Sequence, residues 1–509
     1  MKKTIIFCTL MLLLTAATAN PVGRERSELV AHNAVAYLCA IHNGTEAKQP
    51  VVLDCLSQDM GFALLHIYNY RCGDEEGFVI ISGDDIADPV LAFSFEGNID
   101  LNGTVGADNE GAIANQAFLQ QLRDYSNEIA YARETKQAAP AYVARKWQML
   151  ENPNMRPKDW YVVDNIPQLL GNMQWGQGNP YNRKCPGGSV TGCVATAFGM
   201  IMNYWDYPEH GFGRYSYNGA DNPAAYPGWR YGVQSADFEH TYYDWEHMGD
   251  YAQINSSDEI IQAVSTLLYQ IGVSLSMNYS PSGSGCWSLP EYAMFDTSLH
   301  LSPIAHTIGA DYRIPRHFGY KYSYSGMRDS IGNDSIWLTM LYNSLAEGKP
   351  IYYAGWASAD NDAGHSGTSG HGYIIDGFFS DVIDSNYFHI NWGWSGSANG
   401  FFKIDAMRPS GSDFTKWHGA IIGLEPDTSY HGYDYTGIRL PVTDGATVCG
   451  YDGHILVRNA HGRRIAVFDL MGRLVSVCTP HDSEWRLALT PGAYNVRIGA
   501  NPAKTIIVY

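Results

Sequence analysis

The stretch Gly187-Gly188-Ser189-Val190-Thr191-Gly192-Cys193-Val194-Ala195-Thr196-Ala197-Phe198-Gly199-Met200 runs from a glycine-rich loop into a helical pattern. Apolar residues repeat there at helical spacing, namely Val194, Ala197, Phe198, Ile201 and Trp205. The helix must end before Pro208, and it places Cys193 in its first turn with Thr191 as the expected N-cap. The free N–H groups and the helix dipole there favour a thiolate, although a buried structural cysteine is the alternative interpretation.

A base for this thiol is expected far downstream, where His371 opens the apolar strand Gly370 to Gly377. A second strand, Tyr387 to Trp394, follows it. Pairing His371 with Asn391 in an antiparallel hairpin centres the turn on a polar stretch and puts both side chains on one face. An amide beside the imidazole can hold its tautomer and orientation, which predicts a Cys-His-Asn arrangement.

Two other histidines lie near this hairpin. His365 is the rival base, but pairing it with Asn391 would centre the turn on Phe378-Phe379, which is apolar and unsuited to a turn. His389 lies two residues before Asn391, and we interpret it as a packed histidine rather than a catalyst.

Upstream of the cysteine, Gln177 lies in the loop Gln174-Trp175-Gly176-Gln177-Gly178-Asn179-Pro180. Its amide could donate to a tetrahedral oxyanion together with the backbone N–H of Cys193. A turn-forming glutamine is the alternative interpretation.

The composition limits the possible functions. The N-terminus reads as an export signal, with Lys2 and Lys3, an apolar run from Ile5 to Leu14 and then Ala17-Thr18-Ala19. The apolar run is too short to span a bilayer. Acidic residues number 52 against 33 basic ones, and the net charge of -19 argues against a nucleic-acid partner. The nine cysteines lack the paired spacings of a zinc site, so no metal is expected.

The sequence predicts an α+β protein in which a catalytic domain is preceded by a propeptide and followed by a small all-β domain. We expect a signal peptide (1–19), an α+β propeptide (20–145), a polar linker open to proteolysis (146–159), a catalytic domain (160–427), a second linker (428–445) and a small all-β sandwich (446–509). The sandwich is expected because short alternating runs and turn residues follow each other there.

The central motifs resemble the streptopain family of cysteine peptidases, which includes the interpains. The similar segments are Trp175-Gly176-Gln177-Gly178, Thr191-Gly192-Cys193-Val194-Ala195-Thr196-Ala197, Gly370-His371, Ile375-Asp376-Gly377, Asn391-Trp392-Gly393-Trp394 and Gly400-Phe401-Phe402. The resemblance implies a papain-like two-subdomain fold, a catalytic pair of Cys193 and His371, support of the histidine by Asn391 and Trp392, and an oxyanion hole that includes Gln177. It also implies protein substrates with an apolar residue two positions before the scissile bond (P2), and no cofactor.

The two ends carry further resemblances. Residues 77–85 are similar to the family's propeptide, which implies a zymogen inhibited by its own N-terminal part and activated by cleavage near residues 135 to 160. Residues 467–473, 491–494 and 504–509 resemble the sorting domain of the type IX secretion system, which implies export from a Gram-negative cell. The insert Asp360 to Ser369 departs from the family pattern.

Two other functions remain open from the sequence. An inactive peptidase fold could serve as a surface adhesin, and Cys-His-Asn chemistry also serves transglutaminases and amidases. The presence of nucleophile, base and oxyanion candidates favours catalysis, and a latency domain favours a protease.

Overall fold

The computed structural model describes most of the chain. The described ranges are 20–42, 51–56, 62–99, 110–152, 162–218, 231–289, 309–356, 370–381, 386–405, 418–430, 432, 447–451, 454–458, 460, 463–469, 473–480, 484–490, 492–498 and 504–508. The expected signal peptide (1–19) and the rival base His365 lie outside these residues. No helix in these ranges is long and apolar enough to cross a membrane.

The N-terminal part is an antiparallel sheet with helices on both faces. Its elements are α1 (Arg24–His42), β1 (Val51–Cys55), β2 (Leu65–Cys72), β3 (Glu75–Ser82), β4 (Val90–Phe93), α2 (Glu110–Glu134) and α3 (Ala141–Glu151). Helices α1 and α3 cover one face of the sheet, where Val35, Val79 and Trp147 share a core. Helix α2 covers the other face, where Phe118 and Leu122 pack on Phe78.

Helix α3 corrects the expected linker. We expected the propeptide to end at residue 145 and a polar linker to follow at 146–159, but α3 crosses that boundary. Val143, Trp147 and Leu150 recur at i, i+4 and i+7, so they form a buried stripe that packs on the sheet. Pro140 lies at the N-cap of this helix and does not disrupt it.

The central part has a helical half and a sheet half. Its helices are α4 (Cys193–Trp205), α5 (Asp258–Ser274), α6 (Ala310–Phe318) and α7 (Asp334–Ala346). Its strands are β5 (Val162–Ile166), β6 (Arg214–Asn218), β7 (Val233–Asp237), β8 (Tyr320–Lys321), β9 (Tyr324–Met327), β10 (Ile351–Trp356), β11 (Gly370–Asp381), β12 (Asn386–Asn391), β13 (Gly400–Phe402), β14 (Gly419–Ile422) and β15 (Glu425–Pro426). The helical half surrounds α4, whose Phe198 and Ile201 share a core with Leu268 of α5. This arrangement confirms the papain-like α+β fold class.

One sheet joins the N-terminal and central parts. Among the described strands its order is β1-β2-β3-β4-β13-β12-β11-β10-β14-β9, with β5 paired to β11. The junction is the antiparallel pair β4 and β13, in which Phe93 is opposite Phe401. Gly400 permits this approach, because a Cβ there would lie 2.6 Å from the carbonyl oxygen of Phe93.

The C-terminal part confirms the expected sandwich. Its strands are β16 (Thr447–Tyr451), β17 (His454–Arg458), β18 (Ile465–Asp469), β19 (Leu474–Cys478), β20 (Glu484–Ala488), β21 (Gly492–Ile498) and β22 (Lys504–Val508). They form one sheet of order β16-β17-β20 and another of order β19-β18-β21-β22. Alternate residues such as Ile455, Val467 and Val496 fill the core between them.

Candidate active site

Cys193 is the first residue of α4, as the helical spacing predicts. The residue before it, Gly192, has φ 89, and a Cβ there would lie 2.8 Å from Met277 Cε, so only glycine fits without strain. The expected cap is wrong: Gly192 is the N-cap, and Thr191 Oγ1 instead contacts Thr196 Oγ1 at 2.8 Å. The backbone conformation of the loop, and not a capping side chain, thus places the sulfur at the helix N-terminus.

The sulfur of Cys193 lies against the strand that carries the histidine. The backbone N–H of Gly372, the residue after His371, donates to Cys193 Sγ at 3.4 Å. Burial raises the pKa of the Cys193 thiol, and the N–H groups of Gly372, Val194 and Cys193 lower it by less. The expected net lowering by the helix terminus is therefore wrong for this state of the chain, because desolvation of the thiolate is the larger effect.

His371 is held by the backbone after β12. Its Nε2 lies 3.0 Å from the carbonyl oxygen of Trp392 and 3.1 Å from Trp394 Nε1. A carbonyl only accepts, so the first contact requires a proton on Nε2, and that nitrogen cannot then accept from Trp394. The two rings are stacked at 11°, which leaves Trp394 as a packing partner of the imidazole. In the neutral ring this tautomer leaves the lone pair on Nδ1.

Burial also sets the charge of the histidine. It lowers the pKa of His371 to about 4, although the hydrogen bond to the Trp392 carbonyl raises it. A raised thiol pKa and a lowered imidazole pKa mean that both groups are neutral near pH 7 in this structure.

The expected register of the hairpin is wrong. Asn391 is opposite Ile374 rather than His371, and the pairing shifts at an irregularity between Ile375 and Gly377. Such a bulge adds a residue to one strand, and alternation of side chains along the sequence does not reveal it. His371 and Asn391 therefore do not share the face that the hairpin pattern predicted.

Asn391 hydrogen-bonds to backbone groups near His371. Its Nδ2 donates to the carbonyl of Met173 at 2.7 Å, and its Oδ1 accepts from the N–H of Gly393 at 3.1 Å. These bonds fix the turn on both sides of Trp392, whose carbonyl contacts His371. The indole of Trp392 is itself anchored, since its Nε1 donates to the carbonyl of Ala398 at 2.9 Å.

Trp394 is a site residue that the sequence reasoning left without a role. Its position in the motif Asn391-Trp392-Gly393-Trp394 was the available signal. The stacking on His371 shows why an aromatic residue is suited to this position.

Gln177 lies beside the loop that precedes Cys193. Its backbone carbonyl accepts from the N–H of Thr191 at 2.9 Å, and its side chain is buried. Among the residues that the structure describes, none is a hydrogen-bond partner of its Nε2 group. A buried amide donor without a partner is unfavourable unless a ligand or water accepts from it, which fits a site for a substrate oxygen.

The described residues contain no group of three or more His, Cys, Asp or Glu side chains arranged to hold a metal ion. The described cysteines are free thiols, namely Cys39, Cys55, Cys72, Cys185, Cys193, Cys286 and Cys478.

Comparisons with known proteins agree with this site. Residues 175–402 match the model of the Peptidase C10 family, and residues 19–123 match that of the Spi protease inhibitor. Streptopain of Streptococcus pyogenes serotype M28 is 26% identical over 459 residues, which cover 84% of this chain and 99% of streptopain. The thiol protease/hemagglutinin PrtT of Porphyromonas gingivalis is 27% identical over 439 residues, which cover 83% of this chain and 44% of PrtT.

A solved structure is similar as well. The structure of a prointerpain A fragment of Prevotella intermedia aligns with a TM-score of 0.50 and 25% identity, covering 75% of this chain and all of that fragment. Fold, site and relatives together define a cysteine endopeptidase that is made as a zymogen with an inhibitor-like N-terminal part. The chain belongs to the streptopain and interpain family of cysteine peptidases.

The neutral state of the site predicts slow alkylation of the precursor. In full-length chain, iodoacetamide should modify Cys193 slowly at pH 6 to 7 and faster as the pH rises past the ordinary thiol value of about 8.5. The rate is read by mass spectrometry of the Cys193 peptide taken only from uncleaved protein. Peptide mapping is needed because six other described cysteines are free thiols, among them Cys286, whose pKa burial raises. Rapid modification that stays constant down to pH 5 would contradict the neutral pair.

Proposed function

We propose that Cys193 is the nucleophile of this peptidase and that His371 is its general base and acid. The observation that carries the proposal is the contact of Cys193 Sγ with the N–H of Gly372, next to an imidazole whose Nε2 is occupied by the Trp392 carbonyl. Nδ1 is then the nitrogen that is free to take the thiol proton. A third residue, Asn391, supports the histidine through the turn around Trp392.

The proposed reaction is acyl transfer through a thioester. Nδ1 of His371 accepts the Cys193 proton, and the thiolate attacks the peptide carbonyl. The Nε2 group of Gln177 and the N–H of Cys193 donate to the resulting oxyanion. The imidazolium then protonates the leaving amine, and the thioester forms. In the second half of the reaction His371 deprotonates a water, which hydrolyses the thioester to the acid and the free thiol.

A thiol-directed irreversible inhibitor tests this proposal on the processed enzyme. It should modify Cys193 with one equivalent near neutral pH and abolish peptide hydrolysis in step. Full activity after complete modification of Cys193 would exclude the thiol from the reaction.

Gln177→Ala should lower kcat about 10²–10³-fold with a smaller change in KM, the effect of removing one oxyanion donor. The expectation rests on its buried and unpaired Nε2 group. Peptide hydrolysis by the processed enzyme measures it, with circular dichroism to show that the fold is kept. An unchanged kcat would assign Gln177 to the loop structure alone.

We also propose a boundary for activation. Because α3 packs in the N-terminal core up to Glu151, the activating cleavage is placed between α3 and β5, which moves the end of the propeptide from 145 to about residue 152. N-terminal sequencing of the processed enzyme tests this placement.

The remaining assignments rest on the sequence pattern of the signal and on resemblance. We propose export through the signal at residues 1–19, sorting of the C-terminal sandwich by type IX secretion machinery to the surface of a Gram-negative cell, a role in virulence, and preference for an apolar P2 residue. Secretion of the full chain compared with a chain ending at residue 445 tests the sorting, and a peptide series varied at P2 tests the specificity.

A second candidate is adhesion, and the name thiol protease/hemagglutinin of the relative PrtT favours keeping it. Cell binding that persists after inhibitor modification of Cys193 would add this activity to the peptidase. Transfer of the acyl group to an added amine instead of water would indicate a transglutaminase, and product mass spectrometry distinguishes the two.

A further inference from the structure

Residues 20–152, the prodomain, meet the rest of the chain through buried charges as well as through the strand pair β4 and β13. The charges form two clusters: Asp88, Lys146, Asp381 and Lys403 with the hydroxyl of Tyr387, and Glu96 with His389 and Asp376. In both clusters some members come from the prodomain and others from the catalytic part. The clusters have no role in the reaction derived above.

Lys146 of α3 is the centre of the first cluster. Its side chain is 2% exposed, and its Nζ lies 3.1 Å from Asp88 Oδ1, 3.4 Å from Asp381 Oδ2 and 3.0 Å from the Tyr387 hydroxyl. Asp88 in turn pairs with Lys403 of the catalytic part at 3.0 Å. The prodomain therefore presents a cation to Asp381 and an anion to Lys403.

His389 is the centre of the second cluster. Its Nδ1 lies 2.5 Å from Asp376 Oδ1, and its Nε2 lies 2.5 Å from Glu96 Oε1 of the prodomain. Both nitrogens face carboxylates, so both carry protons and the ring is an imidazolium. The packed histidine expected from the sequence is thus an ion-pair partner of the prodomain.

We propose that the catalytic part recognises its prodomain by these three complementary contacts, Lys146 with Asp381, Asp88 with Lys403, and Glu96 with His389, and that they hold the prodomain in place after the linker is cut. The partner surface on the catalytic part consists of Asp381, Tyr387, His389 and Lys403. It fits a protein that offers a strand edge to β13 together with one lysine and two carboxylates in matching places.

Burial gives these contacts their selectivity. A buried ion pair contributes little compared with apolar packing, but removal of one partner leaves a buried charge uncompensated. A foreign inhibitor domain without a cation in the place of Lys146 would leave Asp381 of the catalytic part as such an uncompensated charge. Sequence-specific recognition therefore follows from the penalty for a wrong partner.

The strands that carry these charges are the ones that carry the active site. Asp376 and Asp381 lie on β11 together with His371, and Tyr387 and His389 lie on β12, which ends at Asn391. The prodomain thus holds both strands of the hairpin that positions the imidazole.

The test uses the full chain carrying Cys193→Ala, which prevents self-processing, cut between α3 and β5 by a trace of the processed wild-type enzyme. Size-exclusion chromatography shows whether the prodomain stays with the rest of the chain, and dilution gives its dissociation rate. We expect the parent to remain one complex. Lys146→Met, Asp381→Asn and Glu96→Gln should each raise the dissociation rate, by about 100-fold for the fully buried Lys146.

Matched variants keep the result interpretable. Arg71→Met removes an exposed cation within the prodomain, paired with Glu76, and should dissociate at the parent rate. Asp381→Asn leaves the prodomain sequence intact, so faster dissociation there is not prodomain misfolding. The double variant Lys146→Met with Asp381→Asn should show less than the product of the single effects.

Alkaline pH gives a second measurement. Burial lowers the pKa of His389, but the Asp376 and Glu96 carboxylates outweigh it and raise the pKa to about 10. The groups that face the ring are Asp376 from β11, Glu96 after β4, the neutral amide of Gln168, which donates to Glu96, and the ring of Phe401 from β13. The separated catalytic part lacks Glu96, so the pKa of its His389 imidazole is lower than in the complex. The contact therefore stabilises the complex fully below that lower pKa, and this stabilisation is lost as the pH rises through about 10. Dissociation should therefore accelerate towards pH 10 in the parent and change less in Glu96→Gln.

Two outcomes would overturn the inference: immediate separation of the cut parent, or retention by Lys146→Met, Asp381→Asn and Glu96→Gln equal to that of Arg71→Met. The inference rests on the zymogen organisation and not on the proposed roles of Cys193 and His371. The substitution Cys193→Ala serves only to keep the precursor uncut until the enzyme is added. Retention is measured after the cut, so failure of the reaction mechanism would leave this result unaffected.

Discussion

Cys193→Ala is expected to give soluble full-length precursor that neither matures nor cleaves protein substrates. Without the sulfur no thioester can form, and loss of a nucleophile from a comparable serine triad lowers kcat roughly 10⁶-fold. Caseinolysis and the sizes of the products over time measure both effects. The fold should survive, because alanine is well tolerated at the first position of a helix whose N-cap is the backbone of Gly192.

The control for this variant is Cys478→Ser, a change to a partly exposed thiol in the C-terminal sandwich. It should mature and cleave casein at the wild-type rate. Processed wild-type enzyme added to the Cys193→Ala precursor should cut it between α3 and β5 in trans, which shows that the linker is still accessible. Caseinolysis by Cys193→Ala at the wild-type rate would refute the proposed nucleophile.

His371→Ala is expected to have the second largest effect, a fall in kcat of about 10³–10⁵-fold. General base and acid catalysis contributes about 10²–10⁴-fold, and the loss of a partner for the thiolate adds to it. The neutral ring with its proton on Nε2 presents Nδ1 as the base, so added imidazole should restore part of the activity of this variant. Peptide hydrolysis with and without imidazole measures the effect.

His365→Ala is the matched control, since His365 was the rival base in the sequence. It should keep most of the activity of the wild-type enzyme. The reverse result, with activity lost in His365→Ala and kept in His371→Ala, would assign the base to the insert before β11 instead.

The local pattern of the sequence predicted those features that depend on neighbours along the chain. The spacing from Val194 to Trp205 gave the helix that starts at Cys193, and alternating runs gave the strands of the C-terminal sandwich. The same reasoning missed α3, although Val143, Trp147 and Leu150 carried the helical spacing, because the polar character of the segment was given more weight.

Side-chain partners were harder to predict. The pairing of His371 with Asn391 was wrong mainly because Ser380 pairs with Asn386, which places the hairpin further along the chain than the pattern suggested. The irregularity between Ile375 and Gly377 then shifts the register by one residue and puts the two side chains on different faces, and alternation alone cannot show where a strand bulges. The tautomer of His371 depends on the backbone carbonyl of Trp392. Every residue has such a carbonyl, so the amino-acid sequence does not indicate which one contacts the histidine. The pKa shifts of Cys193 and His371 both follow from burial, which is a property of the packed structure.

By itself the sequence determined the cysteine at a helix start, the histidine at a strand start, the strands of the C-terminal sandwich and the family to which the motifs point. These depend on spacings of a few residues, which backbone geometry converts directly into faces and turns. The tertiary structure alone decided which groups meet: Cys193 with Gly372, His371 with Trp392, and Lys146 with Asp381. Those contacts join residues far apart in the chain, and their strength depends on the exclusion of water, which arises only when the sheet and helices have closed around them.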